Sequence, residues 1–418
     1  MTSDPSPARL TSPPAGGSAQ ARSCACAGTM LSDATPADLG LDPAPITEAV
    51  ALIRSHQEAA GAHPLYAGAV GIMGHGGHVV VRHASGWALR HVDTSTELPR
   101  ADWVPMRPDT IFDLASLSKL FTAVTVVQLV EEGRVDLASP VAAYLPEFAS
   151  RGKEFVTVRQ LLAHTSGLAP ELPLWRDWPD RAARITAVMD EPLTSAPGSV
   201  YRYSDLNLIA LGVLVERLRG APLDVVVRDH VTRPLDMGHT GYTPTDPLTC
   251  AATEFQTSPP RGMVRGEVHD ENAWSLGGVA GHAGVFSTAD DLAVLAQTLI
   301  DGGAYGGRRI LSPESVTALV TDVNAAFPGH AHGLGFELDQ RSYMDDLAGP
   351  HTIGHTGFTG TSIVIDLDSR SFAILLTNRV HPSRVWGSAA LARREWAHGL
   401  AAALRRTDSA SRATPVAP

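Results

Sequence analysis

Between Ala115 and Glu132 the chain carries apolar residues around most of a helical circumference: Leu117, Leu120, Phe121, Val124, Val127 and Val130, with Ala123 and Val126 filling in. A helix that is apolar all round has to be enclosed by other elements, so this stretch predicts a central, buried helix. Gly133 offers its C-terminal stop. Its first turn carries Ser116 and Lys119, three residues apart and therefore on one face. A serine hydroxyl attacks a carbonyl only when a neighbouring group takes its proton, and a lysine can do so if burial or neighbours tune it. Alone, Ser-x-x-Lys is a chance-level pattern. Partners elsewhere in the chain decide whether it means anything.

A buried helix needs a sizeable protein around it. The 418 residues, 44% hydrophobic and 18% charged, suffice for one large or two medium domains. The net charge of -11 argues against a nucleic-acid partner and leaves no polybasic patch for anionic lipid. No apolar run approaches the roughly 20 residues that span a bilayer. Residues 1–36, rich in Pro, Ser, Ala and Gly, are expected to be disordered. They lack the apolar core of a secretory signal, so a cytoplasmic protein is expected. Three cysteines, Cys24 and Cys26 in that tail and Cys250 in a loop, make no disulfide framework. There is no His-Glu-x-x-His, no zinc-type spacing, no P-loop and no Gly-x-Gly-x-x-Gly, so neither metal nor cofactor is expected.

Taken in order, Ile46 to Ala60 has helical periodicity, and Gly68–Met73 and His78–Arg82 read as strands joined by a Gly-rich hairpin. Residues 84–110 look irregular. Thr157-Val158-Arg159-Gln160 is a capping box for a short helix ending near His164. That histidine is expected to bond nearby carbonyls, with a general base as the sharper alternative. Tyr203 stands just ahead of a helix that runs through Leu208 to Leu218 and stops at Gly220. It is either a cleft tyrosine or a buried structural aromatic. Residues 240–285 read as one long loop region, in which His269, Asp270 and Glu271 could hold a cation but more simply form a solvated, hydrogen-bonded loop. Ser287 to Asp290 caps the next helix. Strands return at Gly333–Leu338, Thr361–Leu367 and Ser371–Thr377, before an amphipathic helix from Val385 to Arg405. The β-rich ends predict an α/β fold of the α+β type: one antiparallel sheet flanked by the N- and C-terminal helices, with a mostly helical part inserted. The α/β part spans about 45–115 and 335–405 and the helical part about 116–334, within a unit of 37–405; a disordered tail is expected at 406–418.

Ser116-x-x-Lys119, Tyr203-Ser204-Asp205 and His355-Thr356-Gly357 form an ordered set. It resembles the motif set of the β-lactamase-related serine hydrolases: class C β-lactamases, D,D-peptidases (penicillin-binding proteins) and family VIII esterases. The resemblance extends over about residues 45–405, with supporting matches at Leu161 to Leu168 and Gly266 to Gly284. It implies a β-lactamase/transpeptidase-like fold, Ser116 as the acylated nucleophile, Lys119 as its proton acceptor and Tyr203 as the proton shuttle. It further implies that Asp205, His355, Thr356 and Gly357 line the cleft and that the N–H groups of Ser116 and Phe358 form the oxyanion hole. Two positions depart from the pattern. Asp205 replaces the commoner Asn, so an anion faces Lys119 and favours Tyr203 as base. His355 replaces Lys, removing a permanent cation that helps recognise a substrate carboxylate. The expected function is therefore a serine hydrolase forming an acyl-enzyme on an ester or a D-amino-acid amide or peptide, a small-molecule or short-peptide substrate. A β-lactamase or D,D-carboxypeptidase is the alternative, and a non-catalytic penicillin- or muropeptide-binding sensor is the alternative of another class. No Gly-x-Ser-x-Gly elbow supports an α/β-hydrolase.

Overall fold

A computed structural model describes residues 28–58 and 63–411, with side chains described as far as Leu404. Cys24, Cys26 and most of both expected tails lie outside these residues. In chain order the framework is α1 (Pro43–Ser55), strands β1 (Gly68–His75) and β2 (His78–Leu89), the two-residue strand β3 (Phe112–Asp113) and helix α2 (Ser118–Glu131). It continues through α3 (Asp205–Arg219), β4 (Val285–Ser287), α4 (Ala289–Ile300), β5 (Thr352–Thr356), β6 (Ser362–Asp366), β7 (Ser371–Thr377) and α5 (Ala390–Ser411).

The main sheet has eight strands and draws on both ends of the chain. Its order is Ser32–Asp33, β2, β1, β7, β6, β5 and Glu337–Leu338, with Val104–Pro105 paired to β2. The pairs are antiparallel, with Ile72 opposite Ile374 and His355 opposite Ile363. The exception is Ser32–Asp33, which runs parallel to the start of β2. On one face, α1 and α5 bury Ile46, Ile53, Trp396 and Leu400 against Ala69, Met73, Val364 and Leu375. The other face meets the larger core, where α4 and the helical part enclose α2. Every residue of α2 from Ser118 to Leu129 is buried, as its all-round apolar character requires.

Five local expectations change. Ser32–Asp33 and the short helix Pro36–Leu39 are ordered, because Thr35 caps that helix and the strand finds an open sheet edge. At the other end α5 runs on to Ser411, past the boundary placed at 406. Residues 84–89 belong to β2: this stretch is half-buried, so its polar residues face water while Trp87 meets Trp103 at 5.0 Å. The region 240–285 holds a hairpin, Ala252–Thr257 with Pro260–Arg265, and the strand Gly241–Tyr242, which joins β3 and β4 in a three-stranded sheet. Ser116 lies ahead of α2, in the 3-10 turn Ala115–Leu117. The Asp113 carboxylate takes the Ala115 N–H at 2.8 Å, and Ala115 sits at φ +48°, which breaks the helical run.

Candidate active site

The nucleophile turn is held from below and from the side. β3 brings Asp113 in as a buried carboxylate that accepts the N–H of Ala115 at 2.8 Å and of His269 at 2.6 Å. Burial pushes its carboxyl up and these two donors pull it back. A non-glycine residue at positive φ costs of order 1–3 kcal/mol and persists only where its surroundings over-determine it, as they do at Ala115.

One turn on, the Lys119 ammonium donates to Ser116 Oγ at 2.9 Å and to the His282 carbonyl at 3.1 Å, and pairs with Asp205 Oδ1 at 2.8 Å. The carbonyl arrives because the chain at Gly281 passes directly over α3. A Cβ there would lie 1.9 Å from the Leu208 carbonyl oxygen, so only glycine fits. Thr122 Oγ1 fixes the same crossing by donating to the Gly281 carbonyl at 2.8 Å.

Tyr203 precedes α3 and turns its ring under the ammonium, 4.9 Å from Nζ. His164 backs it. The two rings lie 4.6 Å apart, and His164 Nδ1 accepts the Ser204 N–H at 3.1 Å. A backbone N–H can only donate, so Nδ1 is the bare nitrogen and the imidazole is neutral. Burial pushes it well below its ordinary value. This differs from the expected bonds to nearby carbonyls: among the described residues the ring's hydrogen-bond partners are the Ser204 N–H and the Asn207 side chain.

These groups open into a cleft of about 430 Å³ lined by Ser116, Tyr203, Glu337, His355, Thr356 and Phe358, and by Arg379 and Arg393 beside the Gly357–Phe358 turn. Every residue that the motifs nominated lines this cleft except Lys119 and Asp205, which stand behind Ser116 as an ion pair. Burial would by itself push the Lys119 ammonium down, but Asp205 and Tyr203 outweigh it and hold the ammonium above its usual value. Burial likewise raises the Tyr203 phenol to about 12, with Lys119 pulling the other way. At rest the site thus holds all its protons: a lysinium, a phenol and a serine hydroxyl. His355 is neutral, pushed down to about 3 by burial and the nearby Lys119 charge, and its Nδ1 faces the Thr356 carbonyl at 2.8 Å.

Three cleft residues escaped the motif search. Arg393, on α5, is half-buried, donates to the Gly357 carbonyl at 2.6 Å, and enters no ion pair among the described residues. Burial pushes its guanidinium down to about 10. Arg379 lies over the Phe358 ring at 4.4 Å, and Glu337 is a carboxyl raised by burial. Only Glu337 had a signal, the alternation of Gly333–Leu338; nothing in the Arg-rich pattern of α5 separates Arg393 from its exposed neighbour Arg394. His269, Asp270 and Glu271 do not form a solvated loop. His269 contacts Glu254 at 2.9 Å and Glu271 pairs with Arg384, which also holds Glu254, so these two join one network, whereas Asp270 caps the short helix Glu271–Ser275 and meets His282 at 3.0 Å.

The β-lactamase family model matches residues 54–397. A putative D-alanyl-D-alanine carboxypeptidase of Escherichia coli (strain K12) is 34% identical over 309 residues, covering 65% of this chain and 70% of that protein. One of Salmonella agona is 32% identical over 341 residues, covering 73% and 77%. Among solved structures, EstCE1, described as a hydrolase with promiscuous acyltransferase activity, superimposes with a TM-score of 0.68 at 22% identity over 86% of this chain and 99% of its own. A penicillin-binding protein homologue from Caulobacter crescentus does so at 0.66 and 23%, over 86% and 98%. A family VIII carboxylesterase gives 0.63 and 21%, over 87% and 97%. With the Ser116–Lys119–Tyr203 constellation in place and the match running through it, the chain belongs to the β-lactamase family of serine hydrolases.

Proposed function

We propose that this hydrolase acts on short peptides ending in a D-amino acid with a free carboxylate, through an acyl-enzyme on Ser116. The observation that carries the reading is the pair of guanidinium groups lining the cleft. His355 is neutral and cannot replace the lysine of the usual motif, but Arg379 and Arg393 line the same cleft. A half-buried guanidinium without a carboxylate partner is poorly compensated, and a substrate carboxylate is the natural group to pair with it. The names of the sequence relatives fit this substrate class.

In the reaction the Lys119/Tyr203 pair first releases one proton to solvent; Ser116 Oγ then attacks the scissile carbonyl and its proton passes to the member of the pair left deprotonated. The developing oxyanion lies between the N–H groups of Ser116 and Phe358. Tyr203 returns the proton to the leaving amine, and water then enters by the same route in reverse. Activated aryl esters such as p-nitrophenyl acetate can use the same open cleft, with a phenolate leaving group that needs no proton.

The test compares a peptide ending in D-Ala-D-Ala with its C-terminal amide, alongside p-nitrophenyl acetate and nitrocefin. The acid should be cleaved at least about tenfold faster in kcat/KM than the amide, in line with one lost charge-assisted contact. Arg393→Ala should erase that preference while ester hydrolysis persists, and Ser116→Ala should abolish all turnover. Equal rates on acid and amide would defeat the substrate assignment; undiminished turnover by Ser116→Ala would defeat the mechanism.

A further inference from the structure

The two oxyanion donors lie on separate elements, Ser116 on the turn after β3 and Phe358 on the turn after β5. Catalysis needs them at a fixed separation, because a displacement of about 1 Å can cost about 10²-fold. Something has to set that distance.

The turn Gly357–Thr361 carries two buried threonines whose hydroxyls reach across to the nucleophile segment. Thr359 Oγ1 donates to the Asp113 carbonyl at 2.7 Å, and Thr361 Oγ1 donates to the Leu114 carbonyl at 2.9 Å. These carbonyls belong to the two residues immediately before strained Ala115. The turn closes on itself through Gly357 N–H to the Thr361 carbonyl at 2.8 Å and Gly360 N–H to the Gly357 carbonyl at 3.0 Å. The contact leaves no slack. A Cβ at Gly357 would lie 2.1 Å from Thr361 Oγ1 and 2.4 Å from the Leu114 carbonyl oxygen. Phe358 sits inside this closed turn, so its N–H moves with the threonines.

We propose that Thr359 and Thr361 are positioning residues for the oxyanion hole: their hydroxyls tie the turn that presents Phe358 to the backbone that presents Ser116. The assignment rests on the acyl-transfer reading above. It makes the Thr-Gly-Thr that follows Phe358 part of the catalytic geometry, although neither threonine needs to touch substrate.

The experiment uses the full chain, a p-nitrophenyl ester and the matching thionoester. A thionoester develops its charge on sulfur, a longer and weaker acceptor that a hole built for oxygen stabilises poorly. Removing an oxyanion donor outright costs about 10²–10³-fold in kcat. A hole loosened in Thr361→Val should lose about 10- to 100-fold in kcat on the ester, with KM changed less than about threefold. The ester-to-thionoester rate ratio should narrow by most of that factor, and Thr361→Ser, which restores the hydroxyl, should recover it. Thr359→Val supplies a second variant with the same expectation should Thr361→Val not fold. Ester and thionoester rates that fall in parallel, or a Thr→Val variant with wild-type kcat, would overturn the proposal while leaving the hydrolase reading intact. A wild-type protein that turned over no carbonyl substrate would overturn both.

Discussion

Replacing Asp205 by Asn should move the acid limb of the pH–rate profile downward by about two pH units. Asp205 Oδ1 stands 2.8 Å from Lys119 Nζ, with the lysine side chain 1% and the aspartate 19% exposed. At an effective dielectric of about 20, unit charges at that distance attract by about 6 kcal/mol. Water reaching the partly exposed carboxylate weakens this; keeping half leaves about 3 kcal/mol, or about two pKa units at about 1.4 kcal/mol each. The same anion raises both Lys119 and Tyr203, so the direction does not depend on which of them accepts the serine proton. In wild type both groups are protonated at neutral pH, so kcat/KM should climb about tenfold per pH unit from 6 to 9. The neutral His164, His332 and His355, all held below their ordinary value, should add no step near 6.5. Unfolding does not imitate this. Lys119 is raised in the folded state, so its stabilising contribution is complete below its unfolded value of about 10.4 and is lost only as pH rises through the folded one. It is therefore constant across the window measured. The assay is kcat/KM on a p-nitrophenyl ester from pH 5 to 9 for both proteins, with Tm recorded at each pH. An acid limb that stays in place, or moves up, refutes the argument that Asp205 holds the site protonated.

Two further outcomes concern stability. Trp396→Ala should cost about 3–5 kcal/mol in denaturant unfolding, since the ring is fully buried between α5 and the sheet and its Nε1–H donates to the Ile72 carbonyl at 3.3 Å; a loss below about 1 kcal/mol would mean that this core layer is not what docks the last helix. Glu254 should contribute to acid sensitivity. Burial works to raise its carboxyl, but His269 and Arg384 outweigh it and hold it near 2, against an ordinary 4.5. Its contribution, about 3 kcal/mol, is present above the unfolded value and lost as pH falls through the folded one. Glu254→Gln should thus be less stable at pH 7 and show a flatter decline between about pH 4.5 and 2. Parallel stability curves for the two proteins would contradict this.

What the sequence made legible was whatever local spacing encodes. Ser116 and Lys119 declare themselves by their separation on an all-apolar helix, and His355-Thr356-Gly357 by its order after Tyr203. The contributions that went unread come from residues whose local context is ordinary. Arg393 is one of several arginines on α5, and only the packing of that helix beside the Gly357 turn turns it toward the cleft. His164 was read with the wrong partners because its hydrogen bonds reach forward to Ser204 and Asn207. The hairpin at 252–265 was hidden by its polar interior. Glu254 and Gln256 are buried although polar: Arg384 and His269 satisfy Glu254 from outside the hairpin, and Arg261 on its second strand satisfies Gln256.

The pairing of β1 with β7 also bears on the order in which the protein can come into being. Residues 68–75 leave the ribosome roughly three hundred positions ahead of their partner, and Arg393 follows later still. The first strands and the enclosed helix α2 must wait, as a nascent chain, without the strands that close the sheet. Serine, lysine and tyrosine are all translated well before Phe358 and the guanidinium beside its turn. No partly synthesised chain therefore carries a complete cleft, and catalytic competence arrives only with the closing helix.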